Sequence, residues 1–114
     1  MNDTVEKKSF AFAVRIVNLC RYLESEKREH VIEKQLLRAG TSIGANIAEA
    51  QEAQSRADFI SKMSIALKEA GETRYWLRLL YATSYLTFRQ YESVLNNCRE
   101  IERMLTAIIK TSKQ

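Results

Sequence analysis

The chain has no proline, three glycines, two cysteines and one histidine among 114 residues. Turns are made largely of Gly, Pro, Asn and Asp, and a β-sandwich or an α/β fold of this size needs many of them. So little turn chemistry excludes both, and predicts long helices joined by a few short loops. Two cysteines with no spacing pattern exclude a disulfide framework and a zinc ribbon. A single histidine excludes most His-based catalysis and most metal sites. No apolar run approaches the roughly eighteen residues of a membrane span, and there is no Gly-rich phosphate loop. These absences set the fold class and leave the activity open.

What is present is ordinary globular composition. Hydrophobic residues are 46% and charged residues 28%, which argues against disorder. The length fits one domain over residues 1–114. Eighteen basic and fourteen acidic residues give a net charge of +4 and a pI near 9.2, a balance that permits nucleic-acid contact without demanding it. Lys7 and Lys8 precede the apolar run Phe10–Val14 much as in a secretion signal. Arg15 interrupts that run short of the roughly seven residues an h-region needs. We read the stretch as an amphipathic helix, and expect a cytoplasmic protein with both cysteines reduced.

Apolar spacing predicts four helices. The first covers roughly Thr4 to Ser25, with Phe10, Ala13, Val14, Val17 and Cys20 on one stripe and Phe12, Ile16, Leu19 and Leu23 on another beside it. The segment Glu24–His30 has no apolar residue and holds the first connection. The second helix runs from about Val31 to Ala53 through Ile32, Leu36, Ala39, Ile43 and Ile47. Gly40 and Gly44 sit one turn apart in it, and since glycine inside a helix costs about 1 kcal/mol relative to Ala, they mark a place where another backbone comes close. Ser55 and Asp58 start the third helix, which ends near Ala82. Thr87 with Gln90 is a capping box for the fourth, whose stripe includes Tyr91, Leu95, Cys98, Ile101 and Leu105. Helices this long with short connections pack as neighbouring antiparallel rods. The expected fold is all-α, an up-down-up-down four-helix bundle.

Three groups of residues stand out as candidate sites. The first is Tyr75, Trp76, Leu79, Leu80, Tyr81 and Tyr85, apolar on all sides of the third helix. A helix apolar all round is buried on several sides, so this group is either an oligomer interface, where Trp, Tyr and Arg are enriched, or an aromatic cap on the bundle end. The second is Ser42, Asn46 and Glu49, which share one face of the second helix. Without a nucleophile and base beside them, they form a structural polar seam, with ligand or partner contact as the alternative. The third is basic. Arg99, Arg103, Lys110 and Lys113 project within roughly 80° of one another at about 100° per residue, and Arg74 and Arg78 are an i, i+4 pair. The reading beside it is a solvated helix face; a symmetric ring would repeat the stripe around a rim and favour nucleic acid. His30 lies in a charged loop, and Cys20 and Cys98 fall on core stripes as small hydrophobes. No catalytic residues, metal or cofactor are assigned.

The run Arg38-Ala39-Gly40-Thr41-Ser42-Ile43-Gly44-Ala45-Asn46-Ile47-Ala48-Glu49-Ala50 resembles the T-S-I-x-A-N-I-A-E signature of small bacterial four-helix-bundle proteins, the 23S ribosomal RNA intervening-sequence proteins. Ser55, Asp58, Phe59, Ala66, Glu69 and Leu77 fit the same pattern. Members usually carry Pro where this chain has Gly44, and often another in the first loop. The resemblance implies a left-handed antiparallel bundle assembled into a ring, typically a pentamer. The chain is similar also to the accessory proteins of diversity-generating retroelements, basic pentamers that bind nucleic acid and a reverse transcriptase. The resemblance implies fold and assembly, and no activity for the intervening-sequence members themselves.

Two functions of different class follow. One is a non-enzymatic homo-oligomer that binds RNA or DNA through a repeated basic face. The other is an adaptor whose apolar surfaces hold a partner protein. Salt separates them, because phosphate binding weakens steeply as salt rises and apolar association does not. Neither involves a membrane.

Overall fold

With no proline to interrupt them, the four apolar-periodic segments run as unbroken helices. A computed structural model describes residues 2–114, with side chains from Val5 onward. The elements are α1 (Asn2–Ser25), α2 (Ile32–Ala50), α3 (Arg56–Ala82) and α4 (Phe88–Ser112). Each helix packs on the next in sequence, and α4 closes on α1 along a looser seam. The result is the antiparallel up-down-up-down bundle, 45 × 20 × 19 Å. No helix of the described residues is long and apolar enough to cross a membrane.

The helix ends follow capping chemistry, with one surprise. The Ser55 hydroxyl accepts from the Asp58 amide at 3.0 Å. The Thr87 hydroxyl accepts from the Gln90 amide while the Gln90 side chain accepts from the Thr87 amide, completing the expected box. α2 stops at Ala50 rather than Ala53, because the amides of Gln51, Glu52 and Ala53 bond three residues back and tighten the chain out of α geometry. The surprise is in the first connection, where Glu29 is buried rather than solvated. Its carboxylate accepts from the amides of Val31, Ile32 and Glu33 at 3.3, 3.1 and 2.7 Å, which satisfies the free N–H groups that open α2. All three glycines lie inside helices. The two left-handed backbone positions after α1 and α3 therefore fall to Arg28 (φ 53°) and Ser84 (φ 70°).

The core is built from the inner stripes. On α1 the inward residues are Val5, Phe12, Ile16, Cys20 and Leu23. Phe10 and Val14 were expected on a core stripe; instead they face outward, 71% and 47% exposed. The two stripes of α1 compete for one interior, and the larger aliphatic set takes it. The glycines explain the α1–α2 approach. A methyl group on Gly40 would come within 2.8 Å of the buried Ile16 side chain, and one on Gly44 within 3.3 Å of the Ser9 carbonyl oxygen. On the α1–α4 seam the bonds are polar: the Arg15 guanidinium donates to Asn97 Oδ1 at 2.5 Å and Ser93 Oγ at 2.6 Å, and Lys8 pairs with Glu100 at 3.2 Å.

The polar seam on α2 is shallower than expected. Asn46 Nδ2 donates to the Ser42 carbonyl at 2.9 Å and to its hydroxyl at 3.3 Å, both one turn back in the same helix. Glu49 is exposed, and it is this residue that crosses to α3, accepting from Lys62 at 2.9 Å. Asn46→Ala strands no partner on another helix and replaces a poorer helix former by the best one. Urea unfolding is expected to place it within about 0.5 kcal/mol of the parent, as for a surface change.

Glycine position decides the sign of two further substitutions. Gly40→Ala forces Ile16 out of place, and overpacking of that kind costs about 1–3 kcal/mol, more than the roughly 1 kcal/mol of helix propensity it returns. Gly71, on α3, faces open space, with only Arg74 Nη2 at 3.8 Å from an added methyl group. Gly71→Ala is therefore expected to stabilise by about 0.5–1 kcal/mol, and Gly40→Ala to destabilise, in the same urea titration.

Glu33 gives the fold a pH dependence. It is buried, and burial raises its pKa above 4.5, with the neighbouring Glu24 carboxyl adding to the rise by hydrogen bond and charge. The folded chain thus prefers the protonated acid. That stabilisation is complete below the ordinary pKa and is lost as pH rises through the raised one. Glu33→Gln is expected to increase Tm at pH 8 and to leave it unchanged near pH 4, by thermal melts at both values.

Candidate nucleic-acid interface

α3 and α4 are adjacent and antiparallel, so cations spaced one turn apart on each are brought to a shared groove. Its upper part, about 390 Å³, is lined by Gly71, Arg74, Tyr75, Arg78, Tyr91, Leu95 and Arg99. Its continuation, about 440 Å³, shares Arg74 and Arg99 and adds Glu102, Arg103, Thr106, Ala107 and Lys110. Five of the six basic residues singled out in the sequence meet here. Lys113 lies apart, at the C-cap of α4.

The charges of the groove are unequal in availability. Arg74 Nε donates to Glu102 Oε1 at 2.6 Å, a bond that raises the arginine pKa and fixes it as a cation bound within the protein. Arg78, Arg99, Arg103 and Lys110 are exposed, and none forms an ion pair among the described residues. The groove therefore presents free guanidinium and ammonium groups around a single internal carboxylate. Planar guanidiniums at this spacing suit phosphate oxygens, which they bind bidentately.

The aromatic group divides. Leu80 is wholly buried in the core, so it contributes nothing to a surface. Trp76 is half-buried, and its indole N–H donates to Glu72 at 3.0 Å; Arg38 of α2 holds the same carboxylate. Leu79 and Tyr85 are also half-buried. Tyr75 and Tyr81 stand out, 56% and 39% exposed. Tyr81 stacks on Tyr91 at 4.8 Å with rings nearly parallel, and meets the exposed Phe88 edge-on at 5.8 Å. Phe88 stands in the sequence between the Thr87 cap and Arg89, with no apolar residue on either side to mark it.

A second surface was missed altogether. Phe10 lines a groove between α1 and α2 of about 430 Å³ with Ala13, Gly44, Ala45 and Ala48. The spacing shows that Phe10 and Val14 are out of register with Val5, Phe12 and Ile16, but not which of the two sets faces outward. Among the described residues α1 does not approach the α3 backbone closely, nor α2 that of α4, so this groove and the α3–α4 groove open on opposite sides of the bundle.

Reactive chemistry is sparse. Burial pushes the thiols of Cys20 and Cys98 up to about 12, so both stay protonated. Cys98 Sγ donates to the Ala70 carbonyl at 3.4 Å beneath the basic groove. His30 is exposed. Among the described residues no three His, Cys, Asp or Glu side chains gather closely enough to hold a metal ion.

No curated relative matches the chain. Among solved structures it is similar to a protein of unknown function from the S23 ribosomal protein family of Bacteroides thetaiotaomicron VPI-5482. The two are 60% identical over 96% of this chain and 97% of that one, with a TM-score of 0.95. A family model described as 23S rRNA-intervening sequence protein matches residues 1–107. The signature across α2 and the bundle that carries it place the chain in one group: it belongs to the 23S rRNA-intervening sequence protein family.

Proposed function

We propose that the protein is a non-enzymatic, cytoplasmic homo-oligomer that binds RNA or DNA along the α3–α4 groove. The observation that carries this reading is the concentration of free cations there. At the α1–α4 and α2–α3 junctions, lysines and arginines pair with carboxylates: Lys8 with Glu100, Arg38 with Glu69 and Glu72, Lys62 with Glu49. Phosphate contacts supply affinity without sequence information. Oligomerisation rests on the two apolar surfaces facing opposite ways, Phe10 and Val14 on one side, Tyr81 and Phe88 on the other. Contact between unlike surfaces of successive copies is head-to-tail, and it closes into a ring when the rotation permits. The pentamer implied by the family resemblance would repeat the basic groove around such a ring.

The apolar α1–α2 groove supports a second reading, an adaptor for a partner protein. Anisotropy titrations with RNA and DNA at low and high salt separate the two. The nucleic-acid reading expects a Kd in the micromolar range or tighter at low salt, weakening steeply towards about 10⁻⁴–10⁻⁶ M at physiological salt, and loss of binding in the Arg99→Glu/Arg103→Glu double variant. No binding at low salt, or binding that survives the reversal, overturns it in favour of the adaptor. Light scattering on the same sample reads the assembly, and a monomer mass at micromolar concentration rules the ring out.

A further inference from the structure

We propose that the groove takes a single strand, with one unstacked base lying on the Tyr75 ring and its flanking phosphates held by Arg78 and Arg99. This deepens the nucleic-acid reading and rests on it. Three features of the upper groove point beyond a simple basic surface.

The first is the ring itself. Tyr75 is 56% exposed in a wall that also carries Arg74, Arg78 and Arg99. An apolar face left in water beside guanidiniums contributes nothing to the bundle core. It is also held still: Trp76 meets it edge-on at 5.0 Å, and the Trp76 indole is tied to Glu72. A ring fixed before binding loses little freedom when a base settles on it. Every base has a π-face, so such stacking is tolerant of sequence. In a duplex those faces are covered by neighbouring base pairs, and Tyr75 would find nothing to stack on.

The second is Gly71. A glycine in the interior of a helix lowers its stability, and here no packing contact requires one, because an added methyl group would meet only open groove and the far end of Arg74. The room belongs to whatever lies in the groove. Removing the Cβ lets a sugar–phosphate chain approach the helix backbone one turn from Tyr75.

The third is dimension. The crevice between two packed helices is set by an interaxial distance of about 8–10 Å, and the upper part encloses about 390 Å³. That suits one chain, whereas two paired strands are wider than the crevice and can only rest across its rim. Arg103 and Lys110 continue the cation track along α4 for the next phosphates.

The test uses the full chain and four labelled probes of equal length: oligouridylate, oligodeoxythymidylate, an abasic oligomer and a duplex. Binding is followed by anisotropy and by the fluorescence of Trp76, the protein's only tryptophan, which sits against Tyr75. The single strands are expected to bind about tenfold or more tighter than the abasic oligomer, and to change Trp76 emission where the abasic oligomer does not. Tyr75→Ala is expected to weaken the single strands about tenfold to a hundredfold, the range that base–aromatic stacking spans, and to leave the abasic oligomer and the duplex alone. Tyr75→Phe keeps the face and is expected to bind within about twofold of the parent. Gly71→Ala is expected to weaken the single strands while the fold becomes more stable, so its loss of binding is not unfolding. Equal binding of all four probes, with Tyr75→Ala unchanged and the Arg99→Glu/Arg103→Glu double variant inactive, overturns the stacking site and leaves the basic groove standing. Failure of every probe at low salt overturns both.

Discussion

The outer surface of this bundle depends on how α3 lies against α4. Ala70 is small enough to let α4 settle close, and the buried Cys98 lies against it, its thiol donating to the Ala70 carbonyl. That contact sets the register in which Arg74 meets Glu102, with Arg99 and Arg103 on either side. The ion pair itself does not set it. A partly exposed pair contributes about 0.2–1 kcal/mol, while each large apolar side chain buried along the same junction contributes about 1.5–3 kcal/mol. Packing determines where α4 lies, and the pair then selects which arginine turns inward and which remain free.

Much of this was legible in the sequence, for identifiable reasons. Helix existence follows from apolar periodicity, and two of the starts follow from Ser55 and from Thr87 with Gln90, whose side chains can serve only a helix beginning there. The basic group follows from the same arithmetic, because residues four apart share a face whatever else the chain does. What periodicity lacks is the choice between two stripes on one helix. α1 carries two, and only the neighbours decide that Phe12 and Ile16 go in and Phe10 and Val14 stay out. In α3 the same uncertainty put Leu80 and Tyr75 in one candidate interface, although one is core and the other is surface.

Charge hid the other misread element. Glu29 sits in a stretch with no apolar residue, and composition makes such a stretch a solvated loop. Its burial is explained by the amides it serves: three N–H groups at the start of α2 need an acceptor, and a carboxylate meets the positive end of the helix dipole as well. The polar seam failed in the opposite direction. Ser42, Asn46 and Glu49 do share a face, but Asn46 satisfies itself within its own helix and the crossing is made by the longest side chain of the three. Side-chain reach, rather than spacing, separates a bond along a helix from one between helices.

Net charge is a poor guide to where such a protein meets an anion, and the ion pairs show why. Each pair among the described residues crosses from one helix to its neighbour and uses an acidic residue: Glu100 at α1–α4, Glu49, Glu69 and Glu72 at α2–α3, Glu102 at α3–α4. Five of the fourteen acidic residues are engaged at the junctions, and the net charge of +4 says nothing of that arrangement. The α3–α4 junction has more cations than its single paired carboxylate engages. Arg78 and Arg99 line the upper part of the groove and Arg99 and Arg103 its continuation, so a phosphate in either part meets two free guanidiniums. Paired charges at the other junctions largely cancel. A mild overall charge is thus compatible with one strongly basic groove, and the local excess is what an anionic chain would meet.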